Sequence, residues 1–152
     1  MNNDTQTLSV KSLLARINDE TLRLIDVRRE EEYRAGHIIN AVNLPLAKLL
    51  EDDKPENVAK LVGELGISDN TSVAIYDDTF GALSSRVAWA LQYIGHRDVS
   101  LLEVTYSQWK DLGYGTSTDI PSINHDEHSI NLQPNILAVS YTHLTLPTSD
   151  LV

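Results

Sequence analysis

Two successive aspartates, Asp77-Asp78, follow the short apolar run Val73-Ala74-Ile75-Tyr76, and Thr79-Phe80-Gly81 carries the chain on toward Ser85-Arg86. A loop at the C-terminal end of a buried strand is where α/β proteins place ligand sites. Arg86, at the start of the helix that follows, is suited to meet an anion in that loop or to pair with Asp77 or Asp78. A second charged pair, Asp26-Val27-Arg28, ends another apolar run, and Gly36-His37 comes shortly after it. Carboxylates at several strand ends are the ligands that hold Mg²⁺ for phosphoryl transfer, so Asp26, Asp77 and Asp78 raise that chemistry as one reading. Against it, Asp77-Asp78-Thr79 lacks the spaced Asp-x-Asp-x-Thr pattern, and no strand ends in lysine. His125-Asp126-Glu127-His128 has histidines three apart in a polar stretch, whereas a helical zinc site wants them four apart with a third ligand. It reads as a solvated segment, and neither a metal site nor a cofactor is expected. The 152 residues include no cysteine, so the chain has no thiol nucleophile, no thiolate ligand and no disulfide.

The elements that position these residues follow from apolar spacing. Ser9 precedes Val10, Leu13, Leu14 and Ile17, which recur at helical intervals. Leu22 to Val27 reads as a strand, Arg29 to Arg34 as a helical turn closed by Gly36, and Ala41 to Leu44 as a short strand ended by Pro45. Pro55 suits the first turn of a helix whose Val58, Leu61, Val62 and Leu65 share one face, with Gly66 as its stop. Val73 to Tyr76 is a strand of the continuous apolar kind buried in parallel sheets. Leu83 to Ile94 is a helix that Ser84 or a neighbour caps and Gly95 ends; Val99 to Leu102 is a strand, and Tyr106 to Leu112 a helix ended by Gly113. Strands alternating with helices predict an α/β fold with a parallel sheet. With 22 acidic against 12 basic residues the chain carries a net charge of −10, which disfavours nucleic acid and anionic membranes as partners. No apolar stretch is long enough to span a bilayer, and a soluble, cytoplasmic protein is expected.

Leu24-Ile25-Asp26-Val27-Arg28 with Glu31-Glu32-Tyr33-Arg34-Ala35-Gly36-His37-Ile38, then Ala41-Val42-Asn43-Leu44-Pro45, Tyr76-Asp77, Ser85-Arg86, Trp89, Gly95-His96 and Trp109, in that order, resemble the rhodanese (sulfurtransferase) family. The resemblance is strongest to the N-terminal domain of two-domain thiosulfate sulfurtransferases. It implies a rhodanese-like fold over residues 5–114, a parallel sheet of about five strands with helices on both faces. In that family a cysteine opens the active-site loop, and its thiolate takes sulfane sulfur from thiosulfate as a persulfide before passing it to cyanide or another thiophile. Here Asp77 stands at that position, with Asp78, Gly81 and Arg86 as the loop's other candidate residues, and Asp26, Arg28, Gly36 and His37 as residues that hold loops and turns together. The expectation is that the Asp77 carboxylate fills the loop and accepts its amide hydrogens, leaving the domain silent in sulfur transfer. Two further departures bear on backbone shape. Ile39-Asn40 replaces the usual Pro-Gly, a turn Asn can make because it tolerates positive φ. Val104-Thr105 replaces Gly-Gly, and two β-branched residues require that turn to be altered or strained.

Beyond Gly113 the chain becomes rich in Thr, Ser, Asn, Asp and His. Residues 115–139 are expected to be a linker toward a second rhodanese domain that is missing, and residues 140–152 resemble translated adapter read-through, a non-native tail. The implied partners are a thiosulfate-type sulfur donor in the parent enzyme and that second domain. The rival reading is a cysteine-free regulatory or protein-binding module.

Overall fold

The computed structural model describes residues 5–133, and the expected non-native tail, residues 140–152, lies outside the described residues. Its first helix, α1 (Val10–Ala15), starts where Ser9 accepts the Ser12 amide hydrogen at 3.0 Å, satisfying one of the donors that a helix start leaves unpaired. Strand β1 (Gln6–Leu8) precedes it, and β2 (Leu22–Asp26) follows. Helix α2 (Glu30–Ala35) carries three glutamates in its first turn, where the helix dipole favours them. Two short strands, β3 (His37–Ile38) and β4 (Val42–Asn43), lead to α3 (Leu46–Glu51) and then α4 (Pro55–Glu64), with its proline in the first turn. The remainder is β5 (Ser72–Tyr76), α5 (Ala82–Tyr93), β6 (Val99–Leu102), α6 (Tyr106–Asp111) and β7 (Thr116–Ser117).

Five strands form one sheet in the order β1-β6-β5-β2-β4, and every pairing in it is parallel. Parallel strands need crossovers, which the helices supply, and both faces are therefore buried. Alternation along the strands sorts the core into two clusters. Ile25, Val73, Ile75 and Val99 face Leu49 of α3, Val58 and Val62 of α4, and Val87 and Leu91 of α5. Leu22, Leu24, Ala74, Tyr76 and Leu102 face Leu13 of α1, Tyr33 of α2 and Trp109 of α6. The expected five-stranded α/β architecture with helices on both faces is the one observed.

Several details depart from the pattern read along the chain. Helix α1 stops at Ala15, short of Ile17, and leaves Leu14 39% exposed. Strand β1 and helix α3 have no counterpart among the expected elements; neither is long enough to repeat its apolar pattern. Residues after Gly113 return to the domain, where β7 pairs antiparallel with β3. Asn40 adopts φ 71°, and its side chain donates to Ile17 C=O at 2.7 Å, so the turn survives without glycine. At Val104-Thr105 the alternative to strain is what the chain adopts. Thr105 is extended at φ −78° and caps α6, accepting from Gln108 N–H while the Gln108 side chain accepts from Thr105 N–H.

Candidate functional site

The parallel register carries the ends of β2 and β5 to one edge of the sheet, pairing Asp26 with Tyr76. Asp77 is the next residue. Helix α5 needs acceptors for its first amides, and its N-cap residue is Gly81, at φ 98°, which has no side chain to offer. The Asp77 carboxylate supplies them from outside the helix. One oxygen, Oδ1, accepts from Thr79 N–H at 2.9 Å and Gly81 N–H at 3.1 Å; Oδ2 accepts from Leu83 N–H at 3.0 Å and Ser84 N–H at 2.8 Å. Ser84, expected as a possible cap, is instead buried inside the first turn as one of the donors.

Asp77 is 3% exposed. Burial opposes its charge, but the amide hydrogens of Thr79, Ser84 and Gly81 outweigh that and hold the carboxyl below its ordinary range. The arrangement is an anion cradle at a helix N-terminus whose anion is covalently part of the chain. Phe80 sits at the tip of the loop, 82% exposed and at φ 57°, an unusual conformation for a bulky side chain. An open cleft of about 260 Å³ lies between the loop and the turn after β6, lined by Tyr76, Asp77, Phe80, Gly81 and Thr105.

The second aspartate points elsewhere. Asp78 accepts from Ser107 N–H at 2.9 Å and from the Ser107 hydroxyl at 2.8 Å, while Tyr106 N–H donates to Asp77 C=O at 3.0 Å. These bonds tie the loop to the first turn of α6. Arg86 joins neither aspartate. Its guanidinium lies 3.5 Å from Asp53, in the loop after α3, and over the Trp89 ring at 5.0 Å, so the expected ion pair with Asp77 or Asp78 is replaced by one with Asp53. Asp53 sits in a loop that sequence spacing does not connect to Arg86.

Asp26, Arg28, Gly36 and His37 form a buried frame beside the loop. Asp26 accepts from Arg28 through its backbone N–H, Nε and Nη2, the last at 2.7 Å, and from the Tyr76 hydroxyl at 2.5 Å. Burial and the Asp26 charge together push the Tyr76 phenol well above its usual range, so it stays a donor. Arg28 also donates to Gly36 C=O at 2.6 Å and lies 3.9 Å over the Tyr106 ring. Gly36 is small because Tyr106 is close: a Cβ there would lie 2.8 Å from the tyrosine oxygen. His37 is fully buried, stacked on Tyr33 at 3.8 Å, with Nδ1 2.7 Å from Tyr33 C=O and Nε2 2.7 Å from Asp119 C=O.

The three carboxylates suggested for Mg²⁺ are thus committed, Asp26 to Arg28 and Tyr76, Asp77 to four amides, and Asp78 to Ser107. Among the described residues no group of three His, Asp or Glu side chains is placed to hold a metal ion, and no helix is long and apolar enough to cross a membrane. His125 and His128 do not converge on a common point. His125 is exposed, whereas the His128 side chain, expected in solvent, is 2% exposed and packs on His96.

Comparison with known proteins places this geometry. The chain is 31% identical to the mouse (Mus musculus) 3-mercaptopyruvate sulfurtransferase, over 74% of this chain and 40% of that protein. It is 29% identical to the sulfur carrier protein TtuD of Thermus thermophilus, over 70% of this chain and 40% of that one. The chain spans about 40% of the length of the curated relatives it matches. The crystal structure of SseA from Escherichia coli, a 3-mercaptopyruvate sulfotransferase, superposes with a TM-score of 0.74 at 21% identity, covering 92% of this chain and 64% of that one; it shows the fold. The sequence model of the rhodanese-like domain matches residues 9–112, taking in every strand of the main sheet except the edge strand β1 and all six described helices, and the chain therefore belongs to the rhodanese-like domain family.

Proposed function

We propose that this chain is the N-terminal, catalytically silent rhodanese domain of a thiosulfate sulfurtransferase whose second domain supplies the sulfur-carrying cysteine. Asp77 stands at the point where the family's cysteine opens the loop, and the four amide hydrogens held by its carboxylate are the observation that carries this reading. In an active loop such amides would stabilise a thiolate or persulfide anion. Here a carboxylate already takes them. It has no sulfur to accept a sulfane sulfur, and its negative charge repels a thiosulfate dianion from the same point. The domain's contribution would then be a face for its neighbour rather than a nucleophile, with Asp26, Arg28, Gly36 and His37 holding the loop edge rigid. A thiosulfate-type donor and the second rhodanese domain are the partners this reading names, and the cytoplasm is the location it names. Relatives named as thiosulfate or 3-mercaptopyruvate sulfurtransferases support the reaction class.

The test is the gene beyond residue 139, sequenced from an independent source. An in-frame second rhodanese domain with a cysteine opening its loop is expected. A gene that stops, or continues without such a cysteine, would instead support the regulatory or protein-binding module.

A further inference from the structure

Residues 121–133 do not leave the domain but run back across the ends of α4 and α5. Asp126 N–H donates to Gly63 C=O at 2.8 Å, Asn131 N–H to Ile94 C=O at 2.8 Å, and Gln133 N–H to Tyr93 C=O at 2.9 Å. Ser129 donates its N–H and its hydroxyl to the two Asp69 carboxylate oxygens at 2.9 and 2.5 Å. Three glycines clear the path. A Cβ would lie 2.5 Å from Asp126 O at Gly63, 2.7 Å from an Ile123 methyl at Gly66, and 2.6 Å from Asn131 O at Gly95. The segment is seated in a track shaped for it.

Two imidazoles meet in that track. His96 Nε2 lies 2.8 Å from Thr71 C=O and His128 Nδ1 lies 2.6 Å from Ser129 C=O. A carbonyl oxygen only accepts, so each of these outer nitrogens carries a hydrogen. The inner nitrogens, His96 Nδ1 and His128 Nε2, are 2.8 Å apart, so one of them donates and the other accepts. The three bonds together need three hydrogens on four nitrogens, one more than two neutral rings hold. Two charged groups outside the segment face the pair. Asp69, in the turn before β5, lies 3.5 Å from His128 Nδ1, and Asp98, in the turn before β6, acts on His96 from further away. On the segment itself, the Asp126 carboxylate accepts from Glu127 N–H, and His125 and Glu127 are exposed.

We propose that His96 and His128 form a one-proton latch that holds the Ile123–Gln133 segment against the domain, and that a second proton opens it. With one shared proton, both outer bonds and the inner bond are made, and the single positive charge faces Asp69 and Asp98. A second proton turns the inner contact into two N–H groups facing each other at bonding distance, and the rings must part. Burial first, and then the charge of a protonated His128, lower the His96 pKa below its ordinary 6.5; the second of these causes is the repulsion that a second proton on the pair meets. The open form accepts that proton more readily, so the closed form loses ground as pH falls below about 6.5. The opposite change, loss of the shared proton at higher pH, costs one of three hydrogen bonds and leaves the track contacts intact.

Amide hydrogen exchange on the full chain tests this. Corrected for intrinsic rates, the protection of the Ser129, Asn131 and Gln133 amides is expected to fall about fivefold between pH values of about 7 and 5, the equivalent of one hydrogen bond. In His128→Gln, whose amide can donate to His96 Nδ1 when that ring is neutral and, turned over, accept from it when it is protonated, protection is expected to stay level across that range. Level protection in the native chain, or an unchanged pH dependence in His128→Gln, would overturn the latch. Ring ¹⁵N shifts of the native protein give a second reading that needs no variant: three protonated ring nitrogens at neutral pH support it, and two refute it.

Discussion

Removing the Asp77 carboxylate should expose how much of the loop depends on it. In Asp77→Ala the amides of Thr79, Gly81, Leu83 and Ser84 lose their acceptor together. An ordinary helix N-cap is worth about 1 kcal/mol. Hydrogen bonds to a charged group are worth roughly 1.5–3 kcal/mol each when buried, but the adjoining cleft admits water that replaces part of this. A net loss of about 3 kcal/mol follows, which for a domain of this size lowers Tm by roughly 10 °C. Urea melts at neutral pH, compared at equal slope, measure it directly. The sharper part of the experiment is rescue by a free anion. With the carboxylate gone, the same amides present an empty anion site, and thiosulfate or sulfate should raise the Tm of Asp77→Ala while leaving the native chain at its ordinary salt response. At about a hundred times the dissociation constant, the ligand would restore about 2.7 kcal/mol, most of what was lost. A destabilisation under about 0.5 kcal/mol, or a variant no more responsive to these anions than the native chain, would refute the cradle.

Three other outcomes follow from the same geometry. Asp26→Asn leaves Arg28 buried without its counter-charge and should cost about 3 kcal/mol or more in a urea melt, since breaking a buried pair is expensive. Gly81→Ala should cost only about 1 kcal/mol, because the position is left-handed but open, its nearest obstacle being Ser85 Oγ at 3.9 Å; a much larger loss would mean an unseen contact. Because amide donors lower the Asp77 pKa, its contribution to stability is fully present above the ordinary carboxylate value of 3.8 and is lost as pH falls through the lower folded value. An acid titration followed by circular dichroism should therefore show a shallower acid limb in Asp77→Ala than in the native chain.

The parts of the fold that were legible in the chain are those whose signal is local. Leu24-Ile25 and Val73 to Tyr76 are apolar on both faces because their sheet is covered on both, and Ser9 and Pro55 mark helix starts through bonds within one turn. The order of apolar runs and glycine stops was enough for a parallel α/β sheet. Three-residue β1 carries no periodicity of its own and exists because β6 offers it a partner. The Asp77 loop was readable only through its resemblance to a family, since an aspartate after a strand is otherwise an ordinary turn residue. Arg86 was misplaced because its partner, Asp53, comes from a different crossover, and composition could not place residues 121–133 against the domain because their polar texture hides backbone bonds to α4 and α5. The exposed, left-handed conformation of Phe80 likewise has no sequence signature.

An internal carboxylate, and no thiol, occupies the cradle of this rhodanese-like domain. The most direct measurement is thiocyanate formation from thiosulfate and cyanide by the purified chain alone, followed by mass spectrometry of the protein after thiosulfate exposure. Thiocyanate at the level of the protein-free control and no added sulfur on the chain are expected. Catalytic thiocyanate formation, or a sulfur adduct on a protein without cysteine, would contradict it.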